Sequence, residues 1–162
     1  MMFEAFRDFL KTIGTDHAGA GMANDDPRVA AAALLFHVGE ADGTITEAEL
    51  GRLKILLAEE FDLDERETLR VLEAGREADQ DAVDLFRFTN VLMKTLDEPR
   101  RIRFIELLWQ LTFADGEVHE LEDNTVWRVA DLLGVSTRDR MLMKQEAAAR
   151  HARNGDAAFE GE

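Results

Sequence analysis

Apolar residues recur along this chain at intervals of three and four, broken by short polar turns, and no stretch alternates with period two. That pattern predicts helices throughout and no sheet. Phe3, Phe6, Phe9, Leu10 and Ile13 mark a short amphipathic helix over residues 1–14, and a glycine-rich linker follows over 15–25. Asp25-Asp26-Pro27 is a helix start, an Asp cap with proline in the first turn. The helix from there to about Gly39 is apolar on most sides, which predicts the buried centre of a bundle. Leu50, Leu53, Ile55, Leu56 and Leu57 mark a helix ending near Phe61. Asp64, with Glu67 three positions on, caps the next, whose Leu69, Val71 and Leu72 are expected to face inward and which should fade at Gly75 and the acidic Asp79-Gln80-Asp81. Val83, Phe86, Val91, Leu92 and Leu96 define a further helix, closed by Asp97-Glu98-Pro99. Ile102 to Phe113 and Val126 to Leu133 follow, the latter stopped at Gly134. Ser136 or Thr137 caps a last helix to about Arg153, and residues 154–162 are expected to be a disordered tail. The helical domain is thus expected over 26–153.

One stretch occurs twice. Glu40-Ala41-Asp42-Gly43-Thr44-Ile45-Thr46-Glu47-Ala48-Glu49 returns 73 residues later (113 minus 40) as Phe113-Ala114-Asp115-Gly116-Glu117-Val118-His119-Glu120-Leu121-Glu122. Upstream, Val29, Leu34, Leu35, Phe36 and Val38 pair with Ile102, Leu107, Leu108, Trp109 and Leu111. A fixed offset of this kind describes an architecture. The expected fold class is all-α: a seven- to eight-helix single-domain bundle with an internal pseudo-two-fold repeat.

Charge narrows the partners. With 34 acidic and 19 basic residues the net charge is −15, which argues against a nucleic-acid partner and favours cations or basic protein faces. No cysteine is present, so neither a disulfide framework nor a thiolate zinc site can form. The longest strongly apolar run, Val29 to Val38, is too short to span a bilayer, and the first eight residues carry acids where a signal peptide carries bases. A cytoplasmic protein is expected. The first helix should dock on its own domain or, through the linker, swap onto a second copy to give a homodimer.

The repeated turns hold the candidate chemistry. Gly43 and Gly116 supply a positive φ between helices. Set against a calcium-binding EF-hand loop, the turns place Asp42 and Glu49, or Asp115 and Glu122, at ligand positions. The early ligand positions are Val38 and Glu40 in one copy and Leu111 and Phe113 in the other, whereas calcium wants about six to eight oxygens. A true EF-hand is therefore rejected. Thr46 and Glu49 form a capping box, which accounts for Glu49 structurally. His119 occupies the cap position of the second copy and is a poor cap, so His119 and Glu122, with Asp115 nearby, suit a divalent metal ion better than a cap. A solvated acidic turn is the plain alternative. Arg100, Arg101 and Arg103 crowd the start of one helix, where compensation by neighbouring carboxylates is expected. No phosphate loop, serine elbow or matched carboxylate pair points to catalysis.

The paired Ala41-Asp42-Gly43-Thr44-Ile45 and Ala114-Asp115-Gly116-Glu117-Val118 turns, each between helices of an acidic chain, resemble those of the TerB-like family, tellurite-resistance protein B and its relatives. The similarity runs from roughly Pro27 to Arg150. It implies an all-helical fold with internal symmetry, no known catalysis, an acidic face that binds metal through Asp42, Glu49, Asp115 and Glu122, and protein partners in stress complexes near the membrane. Three readings stay open: a metal-responsive interaction domain, a protein-interaction scaffold without metal, and a metal-dependent hydrolase built on His119.

Overall fold

A computed structural model of the chain describes residues 25–82, 84–114 and 120–160, with side chains described through 153. The expected N-terminal helix and most of the linker lie outside the described residues. Those described form seven α-helices: α1 (Pro27–Gly39), α2 (Glu47–Phe61), α3 (Glu65–Asp81), α4 (Phe86–Thr95), α5 (Glu98–Thr112), α6 (Glu120–Leu132) and α7 (Thr137–Glu160). The all-helical expectation holds.

Local sequence explains where the helices begin. Asp26 caps α1 by accepting the Arg28 N–H at 2.9 Å, and its carboxylate also takes the buried Arg28 guanidinium at 3.0 Å. Asp97 caps α5 in the same way, accepting from the Arg100 N–H at 3.0 Å. Asp64 and Glu67 form a full capping box on α3. At α7 the Ser136 hydroxyl accepts the Asp139 N–H at 3.1 Å. The left-handed residues Asp62 (φ 53) and Gly134 (φ 70) end α2 and α6.

Two helices make the centre. Val29 through Leu35 of α1 are fully buried, and α1 touches α2, α3, α4, α5 and α6. Its counterpart α5 buries Phe104, Ile105, Leu107, Leu108, Trp109 and Leu111, and packs on α1, α2, α6 and α7. Each large side chain taken from water contributes about 1.5–3 kcal/mol, so these two helices carry much of the stability. The second repeat is fastened by cation–π contacts as well. Arg140 lies 4.6 Å over the Trp127 ring, and Lys144 lies 4.8 Å over Trp109 while holding Asp123 at 2.7 Å.

α3 ends in the acidic Asp79-Gln80-Asp81 as expected, whereas two other features depart from expectation. Within α3, Gly75 is the crossing point with α1: a Cβ there would stand 2.4 Å from the Ala32 Cβ. Leu69 does not face inward and is 50% exposed. The core face of α3 is Thr68, Val71, Leu72, Gly75 and Ala78, and Leu69 sits one residue off that stripe. The backbone of α7 stays helical to Glu160, past the expected end at Arg153, since a glycine such as Gly155 costs a helix only about 1 kcal/mol.

Candidate functional site

The first Asp-Gly turn is built outward from the end of α1. Glu40 donates its N–H to the Phe36 carbonyl at 2.8 Å, and the Gly43 N–H reaches the Glu40 carbonyl at 2.9 Å. Gly43 has φ +114 and open space around it, so glycine is required by backbone conformation alone. Ile45 then folds back over Gly39, where a Cβ would lie 2.9 Å from the Ile45 Cδ1. That contact sets Thr46 at the cap of α2. The Thr46 hydroxyl accepts the Glu49 N–H at 3.1 Å and the Glu49 Oε1 accepts the Thr46 N–H at 3.2 Å. Asp42 stands exposed on the turn, while Glu49 is fully buried, its Oε2 without a hydrogen-bond partner among the described residues.

Glu122 occupies the matching position of α6 and is equally buried. Asp115, Gly116 and His119 lie outside the described residues, so the proposed ligand set at the second turn is represented by Glu122 alone. Among the described residues no three His, Asp or Glu side chains come together in a group that could hold a metal. Asp123 is taken up by Lys144.

The arginine crowd at α5 resolves partly as expected. Arg103 pairs with Glu60 at 3.5 Å and with the buried Glu106. Glu106 is the hub of a network that sequence reasoning missed. It also accepts from the Gln110 side-chain amide at 2.9 Å and from Arg150 Nε at 3.3 Å, while the Gln110 carbonyl accepts from Arg52 at 2.9 Å. α2, α5 and α7 are thereby joined through polar side chains. A signal was present: Glu106 and Gln110, one turn apart, interrupt an otherwise apolar run. Beside the network opens a cleft of about 340 Å³, lined by Arg52, Gln110, Arg150 and His151 over small residues and Ile55. His37, on the strongly apolar α1, bonds Asp79 at 3.0 Å, and its side chain is 43% exposed.

The sequence profile of the tellurite resistance protein TerB family matches residues 28–145, spanning both turns and both central helices. The chain belongs to the TerB family. It is also similar to co-chaperone protein DjlA of Vibrio parahaemolyticus, 30% identical over 132 residues that make up 78% of this chain and 45% of that protein. The DjlA of Photobacterium profundum is 28% identical over 161 residues, 94% of this chain and 58% of its own length. That of Vibrio vulnificus is 31% identical over 127 residues, 76% of this chain and 44% of the relative. This TerB-family chain spans about half the length of the curated relatives it matches. No solved structure matches it significantly. Among the described residues no helix is long and apolar enough to cross a membrane.

Proposed function

We propose that this chain is a non-enzymatic helical interaction module that works through protein partners in a co-chaperone or stress-response setting. The observation that carries this reading is the extent of the likeness to DjlA, which takes in 94% of the chain in the Photobacterium profundum case. The outer helices supply contact surface in keeping with it: Ile55, Leu69, Phe86 and Leu121 are 46%, 50%, 63% and 56% exposed. The test is a chimera. Putting this chain in place of the matching segment of the Vibrio parahaemolyticus co-chaperone should keep measurable co-chaperone activity. A chimera no more active than the segment deletion overturns the reading.

A second reading, a divalent cation at the Asp-Gly turns, has one observation in its favour. Glu49 is fully buried with a carboxylate oxygen that no hydrogen bond from the described residues satisfies, a state that costs about 1–3 kcal/mol unless something positive offsets it. The residues we assign to that cation are Asp42 and Glu49 at the first turn and Asp115, His119 and Glu122 at the second. Oxygen ligands with one imidazole suit magnesium, manganese or zinc. A cation present at a hundred times its dissociation constant stabilises by about 2.7 kcal/mol, which a thermal melt detects. Glu49→Gln and His119→Ala should each reduce that shift at their own turn. Melting curves unmoved by millimolar magnesium, manganese, calcium and zinc would leave the metal-free scaffold in its place.

A further inference from the structure

We propose that the cleft between α2, α5 and α7 binds an acidic peptide segment of a protein partner, its carboxylate held between Arg52 and Arg150. The proposal rests on the partner-binding reading and names the place and chemistry of one contact.

Charge is the first argument. The chain carries 34 acidic and 19 basic residues, yet among the described residues the cleft lining holds Arg52, Arg150 and His151 and no Asp or Glu. The carboxylate behind it, Glu106, is already engaged by Arg103, Gln110 and Arg150. Arg52 places one N–H on Gln110, and Arg150 places its Nε on Glu106. A guanidinium has five N–H donors in a planar fork, so both arginines keep donors for an incoming carboxylate, the group that fork fits best. The network anchors one part of each arginine, which lowers the cost of ordering it around a ligand.

Gly51 is the second, independent argument. It lies inside α2 and lines the cleft. Its φ is not positive, and a Cβ added there would meet nothing within 4 Å among the described residues. A glycine inside a helix costs about 0.8–1 kcal/mol relative to alanine, and neither backbone nor packing asks for this one. What it does is keep the cleft wide. Ala48, Ala114 and Ala147 continue the small-residue floor, and Ile55, 46% exposed, offers apolar contact beside the arginines. A volume of about 340 Å³ admits one or two side chains. Together these favour an acidic residue flanked by an aliphatic one over a bare inorganic anion, which would leave Ile55 and the floor unused.

The test uses the full chain, isotope-labelled, titrated with acetyl-Leu-Glu-Leu-Glu-Leu-amide and with its Gln counterpart. Amides of Gly51, Ala114 and Ala147 should shift with the Glu peptide, and the Gln peptide should bind about tenfold more weakly. Arg52→Gln and Arg150→Gln should each weaken binding by a similar factor. Because Arg150→Gln also disturbs Glu106, Gly51→Trp is the decisive variant: it leaves every charge in place, fills the cleft, and should abolish binding without lowering the melting temperature. Equal binding of both peptides, shifts elsewhere on the surface, or full binding by Gly51→Trp overturns the proposal. Inorganic phosphate shifting the same amides while neither peptide does reassigns the cleft to a small anion and overturns it too. The chimera separates the two claims. Co-chaperone activity unaffected by Gly51→Trp sinks the cleft and spares the partner reading, whereas peptide binding by an inactive chimera does the reverse.

Discussion

The two halves of the molecule share a helix order but treat the equivalent joint differently. An offset of 73 residues relates α1 and α2 to α5 and α6, and one of 72 relates α3 to α7, from Asp64 and Ser136 at their caps. By those offsets Gln110 corresponds to His37, His151 to Asp79, Ala147 to Gly75, and Ile105 to Ala32. In the first half Gly75 lies against Ala32 and His37 bonds Asp79 across the joint, so α1 and α3 meet small against small and are latched. In the second half the pair is Ala147 and Ile105, Gln110 turns to Glu106 and Arg52, and a cleft opens alongside. Duplicated topology does not dictate a duplicated site. A few changes in side-chain size and hydrogen-bond direction decide whether a joint is sealed or open.

The strongest way to break the comparison is to overfill the sealed joint. Gly75→Ala would set its Cβ 2.4 Å from one side-chain atom and 3.0 Å from a backbone nitrogen of α1, neither of which can swing aside. Overpacking of this kind costs about 1–3 kcal/mol, and we expect the upper end, read by chemical denaturation. The reciprocal change, Ala147→Gly, only removes a methyl group and loosens α7, and should cost about 1 kcal/mol. If the two variants are equally mild, the joints are not as different as the packing says.

The polar hub of the open half comes next. Glu106→Ala removes a buried acceptor from Arg103, Gln110 and Arg150 at once. Because the two arginines are 41% and 43% exposed and can turn to water, we expect about 2 kcal/mol rather than the larger loss of a wholly buried pair. It should also release Arg150 and weaken the Glu-peptide probe. At the first turn, Thr46→Ala removes the cap of α2 and should cost about 1 kcal/mol. A thermal melt unchanged by Thr46→Ala would mean that Glu49 is not held by its capping box.

What could be read from the sequence was what neighbours in the chain determine. The Asp26, Thr46 and Asp64 caps, the Gly43 and Gly134 turns, and the buried run of α1 each depend on residues within one or two turns, and all appear as expected. Leu69 was misplaced because a one-residue error on a helix rotates a side chain off the core, and its apolar neighbours Val71 and Leu72 do not fix that angle. That Gly75 marks a helix crossing could not be read locally, because its partner Ala32 is in another helix. The cleft was illegible for the same reason: Arg52 and Arg150 are 98 residues apart (150 minus 52), and nothing local marks them as facing one another. Of the five proposed cation ligands, Asp42 is exposed and Glu49 and Glu122 are buried, while Asp115 and His119 lie outside the described residues.

The smallest effect probes the latch itself. His37 and Asp79 share one hydrogen bond at 3.0 Å at the rim of the sealed joint, with the His37 side chain 43% exposed. A bond so placed competes with water on the imidazole side, so His37→Gln, which borrows the residue of the open half, should cost no more than about 1 kcal/mol. The seal does not depend on it, because Gly75 and Ala32 already hold the α1 and α3 backbones together. Amide hydrogen exchange at Ala32 and Gly75 should therefore stay close to wild type in His37→Gln, and Glu-peptide binding at the other joint should be untouched. Exchange at Ala32 that speeds up far beyond the change in global stability would show that the latch, and not the small-residue crossing, keeps this half closed. In that case Gln110 alone, by failing to reach His151, would be enough to explain why the other half stands open.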